Sequence, residues 1–432
     1  MGAIVREEYD EIVRCLEQGK RANPIFNVSL KDEVLPKAKV DAGKCRAFTA
    51  CPASFAVLTK RVTMTILAFL HNNRIISEIY AGTSVQSKDW HRMRKMITMF
   101  GSDRMIAGDF KRFDTVAAAA RRLEKAWNII MFIARRAGYS AYWLDMLDKI
   151  RYDTFFPCTY VNGELVTLEG KETSGNVVTV DVNGLVNSLL MRQAYFALAP
   201  EGAPPFDSYV TLLTYGDDNV MNVHPNCHWF NHTTISNYLR ESEGVIYTMA
   251  DKEAESRPFI SIDEVSFLKR KWRWDEDTQT YLAPLEEDSI WKMITYGLPS
   301  KAMDPRHLSV VNLDTALRER FFYGRKIFDQ ERQWTLGVVD ELALNDCVAR
   351  SHFPFYEEML DAYERRSRNN SELRVYDLQA HEVDDRTLIT TPVGQDDGTW
   401  GVRPPVRAED FTDGWAGMEY LPNDSITVDR AR

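Results

Sequence analysis

The chain has 432 residues, 44% of them hydrophobic, with 53 Lys+Arg against 63 Asp+Glu and a formal net charge of −10. That size suits one large multi-lobed domain or two to three smaller ones, and the acidic balance excludes a simple basic nucleic-acid coat; a near-neutral body can still hold a basic channel, because the local field outweighs total charge. Six cysteines, at 15, 45, 51, 158, 227 and 347, form no CxxC pair and suit free thiols in a reducing compartment. The longest apolar run, VTMTILAFL, falls well short of the roughly 20 residues of a membrane span.

Residues 31–48, KDEVLPKAKVDAGKCRAF, predict an extended or looped basic segment, and residues 52–100 predict helix over most of their length. SDRMIAGDF predicts a short strand ending at Gly108–Asp109. TVAAAARRLEKAWNIIMFIARRAG predicts a helix with Val116, Ala120, Leu123, Trp127 and Ile130 on one face, Arg135 and Arg136 in its last turn and Gly138 as its cap. Residues 152–168 suggest a hairpin about Asn162–Gly163, and a second helix follows TSGN to about Leu198. LLTYGDDNVM, residues 212–221, predicts a hairpin with an acidic tip. HWFNHTTISNYLRESEG predicts a third helix ending near Gly244, and EVSFLKRKWRW with TQTYLAP predicts a further hairpin. From Glu286 to about Arg366 the pattern is helical. Residues 367–432, with 7 Lys+Arg against 13 Asp+Glu and weak periodicity, predict a tail or linker.

Adjacent carboxylates at Asp217 and Asp218 repel each other. An Asp-rich turn accounts for them if they are merely solvated; a bound divalent cation accounts for them if a further carboxylate joins them, since hard cations prefer oxygen ligands. Asp109, at a strand end in AGDFKRFD, can supply it, and can equally be a helix N-cap. His224, Cys227, His228 and His232 form HxxCHxxxH, a spacing able to bind zinc, but an ordinary polar helix start is the preferred explanation.

The segments follow a fixed order: a basic loop, DxxxxD, SG before an Asn-bearing helix, YGDD, a Lys segment, then FLKR. From Lys31 to Arg270 this resembles the motif series of viral RNA-dependent RNA polymerases of the picornavirus-like group, including its dicistrovirus and marnavirus relatives. The resemblance implies an α+β right-hand polymerase with fingers, a palm of antiparallel sheet and helices, and a helical thumb. It implies partial fingers at 1–98 with the basic motif at 31–48, palm at 99–116 and 174–284, a fingers insertion at 117–173, a thumb at 285–366, and an acidic tail or downstream polyprotein segment at 367–432. Because the basic segment begins only about thirty residues in, the expectation is an N-terminally truncated fingers region, cut from a polyprotein.

The same resemblance implies roles for particular residues. Asp109, Asp217 and Asp218 would hold two Mg²⁺ ions, with Mn²⁺ as a substitute, and Lys252 would be the general acid toward pyrophosphate. Lys31, Lys39, Lys44 and Arg46 would contact the triphosphate and template. Ser174, Gly175 and Thr179 would move with the incoming nucleotide, while Asp114 and Asn183, nine residues after Ser174, would recognise the ribose. Phe267, Leu268, Lys269 and Arg270 would grip the primer strand. Each also has a plainer explanation: a solvated cation for any single Lys, a helix-face amide for Asn183, a helix cap for Ser174. The implied partners are template and primer RNA, nucleoside triphosphates, a protein primer and other viral replication proteins, with no direct membrane span. The implied location is the host cytoplasm, at membrane-associated replication complexes reached through partners. The alternatives are a reverse transcriptase-like polymerase, whose relatives tend to carry a bulky residue near the Asp114 position, and a non-catalytic RNA-binding fragment.

Overall fold

The structure, a computed structural model, describes residues 2–171, 173–250, 255–297, 301–372, 393–394 and 400–401. It divides into two units, Met1–Leu373 and Arg374–Arg432. In the second, Val393–Gly394 pairs antiparallel with Trp400–Gly401, and the rest of the predicted tail beyond Glu372 lies outside the described residues.

The first unit opens with α1 (Ala3–Glu17), β1 (Ile25–Leu30), α2 (Lys37–Asp41), β2 (Ala47–Ala50), α3 (Ala53–Asn72), α4 (Arg74–Ser77) and α5 (Asp89–Ile97). It continues through β3 (Met105–Phe110), α6 (Ala120–Arg136), α7 (Ala141–Phe155), β4 (Cys158–Val161), β5 (Glu164–Thr167) and α8 (Thr179–Leu198). Then come α9 (Phe206–Tyr209), β6 (Val210–Tyr215), β7 (Asp218–Val223), α10 (His232–Glu243) and β8 (Tyr247–Met249). A small hairpin, β9 (Arg273–Asp275) and β10 (Thr280–Leu282), leads into α11 (Glu287–Thr295), α12 (Pro305–Arg320), α13 (Arg325–Glu341) and α14 (Tyr356–Glu372).

The central sheet has the order β6-β7-β3-β8, antiparallel throughout, and is buried on both faces. Side chains alternate along a strand. Ile106, Phe110, Leu212, Met221 and Val223 therefore enter one core, with Leu123, Trp127 and Ile130 of α6 and Val186 and Leu190 of α8. Met105, Ala107, Leu213 and Val220 enter a second core, with Trp90 and Met93 of α5 and Leu313 and Leu317 of α12. Each fully buried Leu, Val or Met is worth about 1.5–3 kcal/mol, so the sheet is anchored from both sides and its turns are left to protrude. A second sheet, β2-β1-β4-β5, carries the basic segment.

Several boundaries differ from the sequence expectation. The helix expected from Thr115 begins at Ala120, because Arg112 takes a left-handed conformation (φ 59°) and Phe113–Ala117 makes a π-turn that packs Phe113 against Phe110 at 5.1 Å. The third helix begins at His232 rather than His228. Asn231 caps it, its side chain accepting from the amides of Thr233 and Thr234 while Thr234 Oγ1 accepts from the Asn231 amide. Within the basic segment, Lys37–Asp41 makes a short helix rather than a plain loop. Helix α7 answers to no expectation, and it occupies Tyr152–Phe155, where the hairpin was expected to start. The turn of that hairpin is as expected, with Asn162 and Gly163 both at positive φ. Helix α3 is long and apolar enough to cross a membrane by length and composition. It contains Lys60 and Arg61, however, and buries Phe55, Leu58, Val62 and Ile66 in the first core.

Gly108 on β3 is required by its neighbour: a Cβ there would lie 2.1 Å from Cζ of the buried Tyr247 ring. Gly108→Ala should cost about 1–3 kcal/mol through overpacking, seen as a lower urea midpoint at unchanged slope; an unchanged midpoint would mean that the ring is free to retreat.

Candidate functional site

Tyr215 pairs with Asp218 at the end of β6–β7, so the turn is Gly216–Asp217, with Gly216 at φ 63°. Gly108 is level with Asn219 across β3–β7, which sets Asp109 level with Asp218, one step nearer the turn. Asp109 is also paired with Thr248 on its other side. The Asp217 carboxyl is held above the usual carboxylate range. The main cause is partial desolvation by the surrounding protein, although the residue is exposed at the turn; a bond from its own backbone amide opposes the shift. Asp109 and Asp114 push it further up, while Arg46 opposes them. Asp114 is exposed within the π-turn that follows Arg112. An all-oxygen donor set whose members repel one another is the chemistry a hard divalent cation fits.

The opposing Arg46 comes from the second sheet. The Lys31 amide donates to the Arg46 carbonyl (2.9 Å), and Leu30 pairs with Ala47, so Lys31, Lys39, Lys44 and Arg46 all belong to the loop joining β1 to β2 or its base. Lys39, Lys44 and Arg46 are exposed and Lys31 is half-buried; Arg46 pairs with Glu33 at 3.2 Å.

The end of β2 lies against the segment before α8. Ala50 bridges Gly175 in parallel, and the Thr49 amide donates to Ser174 Oγ at 3.3 Å. A Cβ at Gly175 would lie 2.3 Å from the Thr49 carbonyl oxygen, so only glycine permits this approach. Ser174 and Gly175 do not open the helix as expected; α8 starts at Thr179, whose hydroxyl donates to the carbonyls of Thr173 (2.7 Å) and Asn176 (2.9 Å). One turn on, Asn183 is buried, and its Oδ1 has no partner among the described residues.

The FLKR residues are placed differently from one another. Phe267 and Arg270 close a tight turn with Leu268 and Lys269 at positive φ. Phe267 is buried and stacks on Trp90 at 6.3 Å, and Arg270 is held by both oxygens of Glu319 (2.8 and 3.0 Å) and by the Ala283 carbonyl. Lys269 is exposed. Lys252 lies outside the described residues.

The HxxCHxxxH residues do not converge. His224 stacks on Tyr209 at 4.9 Å, burial pushes the Cys227 thiol up to about 11, and His232 bonds Ser256 and stacks on Tyr247, its pKa lowered by burial. Among the described residues, the ligand group gathered within 4.8 Å is instead Asp304, His307 and Cys347.

The sequence reading missed a buried set beneath the acidic turn. Asn187 Nδ2 donates to the carbonyls of Gly216 (3.2 Å) and Asp217 (2.9 Å), Asn219 Nδ2 donates to Asn187 Oδ1 (3.0 Å), and Tyr247 Oη donates to Asn219 Oδ1 (2.7 Å). The available signal was amides set among the apolar residues of a strand and of a helix, at Asn219 and Asn187; buried amides need partners.

Residues 5–334 match the family model for viral RNA-dependent RNA polymerase. The chain is 30% identical over 356 residues to the replicase polyprotein of Drosophila C virus (strain EB), covering 77% of this chain and 19% of that polyprotein. It is 31% identical over 359 residues to the replicase polyprotein of cricket paralysis virus, covering 78% and 19%. The chain thus spans 19% of the length of each of these two relatives. Among solved structures, a Sicinivirus 3Dpol RNA dependent RNA polymerase shares the fold at a TM-score of 0.64 and 18% identity, covering 83% of this chain and 70% of that one. With the family match running through both carboxylate-bearing strands, the basic hairpin and the FLKR turn, this chain belongs to the viral RNA-dependent RNA polymerases and has their right-hand fold.

Proposed function

We propose that this chain performs the RNA-templated RNA synthesis of its family, in viral genome replication, with Asp109 and Asp217 holding two Mg²⁺ ions and Asp218 assisting. The observation that carries this is the register of the central sheet, which sets Asp109 level with Asp218 beside the Gly216–Asp217 turn, with Asp114 and Arg46 near enough to act on the Asp217 charge. Bound there, the ions would activate the attacking 3′-hydroxyl and neutralise the leaving pyrophosphate; Mn²⁺, with the same oxygen preference, would substitute. The central sheet with α8 and α10 would be the palm, the β2-β1-β4-β5 sheet part of the fingers, and α11 to α14 the thumb.

The protein's own groups would bind and orient. Lys31, Lys39, Lys44 and Arg46 would neutralise triphosphate oxygens from the hairpin loop, with Arg46 exchanging Glu33 for phosphate. Lys252 would supply a proton to pyrophosphate. Ser174, Gly175 and Thr179 would tie nucleotide arrival to the loop before α8, since β2 and that loop touch. Lys269 would contact primer phosphate, with Phe267 and Arg270 fixing the turn that presents it. Template and primer RNA, nucleoside triphosphates, a protein primer and other replication proteins would be the partners, at replication complexes on host cytoplasmic membranes.

Asn183 favours ribonucleotides over deoxynucleotides. A buried amide oxygen without a partner among the described residues is costly, and the 2′-hydroxyl of the substrate would complete it by donating its single proton to Asn183 Oδ1, with Asp114 recognising the ribose beside it. Asn183→Ala should reduce the UTP/dTTP ratio of kcat/KM by roughly ten- to hundredfold, the equivalent of about 1–3 kcal/mol. An unchanged ratio would remove Asn183 from ribose recognition and strengthen a reverse transcriptase-like reading.

Asp217→Ala should lower primer extension on poly(A) by at least about 10²–10³-fold, with RNA affinity retained through distributed phosphate contacts. Equal loss of both would indicate misfolding.

Stability should carry the sign of the Asp217 shift. Its carboxyl is raised, so the folded state favours the protonated form, and the metal-free wild type loses stability as pH rises through that raised value. Asp217→Asn should therefore have the higher Tm in chelator at neutral pH, with the gap closing toward acid. Differential scanning fluorimetry across that range checks it; a gap that widens in acid would contradict the like-charge arrangement.

A further inference from the structure

The hydrogen bonds beneath the acidic turn form one continuous line between the two carboxylate-bearing strands. At one end, Asn187 of α8 grips the turn through the carbonyls of Gly216 and Asp217, with a longer bond to that of Asp218 at 3.4 Å. In the middle, Asn219 of β7 links Asn187 to Tyr247. At the other end, the Tyr247 ring presses on Gly108, the residue before Asp109, at a distance only glycine tolerates. The next residue, Thr248, donates its hydroxyl to the Asp109 carbonyl at 3.3 Å.

All three members are at most 2% exposed, so none is held in place by solvent. Burial keeps the Tyr247 phenol far above the usual tyrosine range, so it stays a neutral donor. His232 stacks on its ring at 5.1 Å and Phe110 packs at 4.8 Å, which fixes the ring in the sheet layer. A polar line of this kind inside an apolar layer gains little stability over apolar packing, because every amide must first be desolvated. What it does supply is a fixed length: a shift of the acidic turn relative to β3 breaks at least one buried hydrogen bond.

We propose that Tyr247, Asn219 and Asn187 act as positioning residues, a strut that sets the separation of Asp109 from Asp217 and thereby the preference of the site for Mg²⁺ over Mn²⁺. This rests on the two-ion reading of the site. Mg²⁺ demands near-ideal octahedral geometry at about 2.0–2.1 Å and tolerates misplaced carboxylates poorly, whereas the larger Mn²⁺ accepts the same oxygen donors in a looser frame. The strut residues touch no substrate; they act through the carboxylates.

The test is Tyr247→Phe in the full chain. It keeps the ring against Gly108, Phe110 and His232 and removes only the hydroxyl, leaving Asn219 Oδ1 without its donor. Calorimetric titration of the metal-free protein with MgCl₂ and, separately, MnCl₂ should show Mg²⁺ affinity falling by about three- to tenfold, and Mn²⁺ affinity falling less. The Mn²⁺/Mg²⁺ turnover ratio should rise by a similar factor, with KM for UTP unchanged at saturating metal. Asn219→Ser, which shortens the line at its middle, should move both ratios the same way and serves if Tyr247→Phe does not fold. Equal weakening of both metals, or wild-type affinities and ratio whatever the change in Tm, overturns the strut. Asp217→Asn separates this from the site itself. If that variant binds both metals as wild type does, the two-ion reading falls and the strut with it. If it loses metal while Tyr247→Phe behaves as wild type, only the strut is overturned.

Discussion

The register that holds Asp109 beside the Gly216–Asp217 turn, at the end of a sheet buried on both faces, is the constraint on which the site depends. Asp217 is pushed toward its neutral form by partial desolvation and by Asp109 and Asp114. A flexible turn would relieve that repulsion by moving the groups apart. Here β6, β7 and β3 are clamped between two apolar cores, and the turn is gripped from beneath by Asn187. The backbones that carry the charges therefore stay together, and an opposing charge placed between them lowers the repulsion.

Arg46 partly supplies that charge from a different sheet. The hairpin carrying it is tied to the loop before α8 through the Ala50–Gly175 bridge and the Thr49–Ser174 hydrogen bond. The basic hairpin and the loop before α8 are therefore in direct contact, and Arg46 of that hairpin is near enough to oppose the Asp217 charge. Gly175 and Gly108 are two of the places where a neighbour is too close for a Cβ, and each stands beside a group proposed to act in the reaction.

Polar groups in the interior divide into two kinds. Asn187, Asn219 and Tyr247 satisfy one another and hold geometry. Asn183, one turn earlier on α8, has an oxygen unpartnered among the described residues, at a cost of about 1–3 kcal/mol. A completed amide stiffens a fold, while an incomplete one is a standing preference for a ligand that completes it.

Much of the fold around the site was legible without coordinates. The acidic hairpin, the strand ending near Asp109, the long helix after TSGN, the Asn162–Gly163 turn and the helical C-terminal part all follow from local periodicity and turn chemistry, and the order of motifs carried the family resemblance. Helix starts were less legible, because caps compete locally: Asn231 outbid His228, and the left-handed Arg112 postponed α6 to Ala120. The sequence pattern could nominate Arg270 as a phosphate contact but could not see Glu319, 49 residues on, which occupies it. It could not see that Asn187, Asn219 and Tyr247 lie in one line either, since their pairings join α8, β7 and β8. Sequence by itself determined which residues carry charge, where the chain turns and which faces are apolar, because those depend on neighbours within a few positions. Only the tertiary structure decided which carboxylate-bearing strands lie side by side, which cations are already paired and which buried amides are satisfied, because each of those is a distance between segments that the chain brings together only on folding.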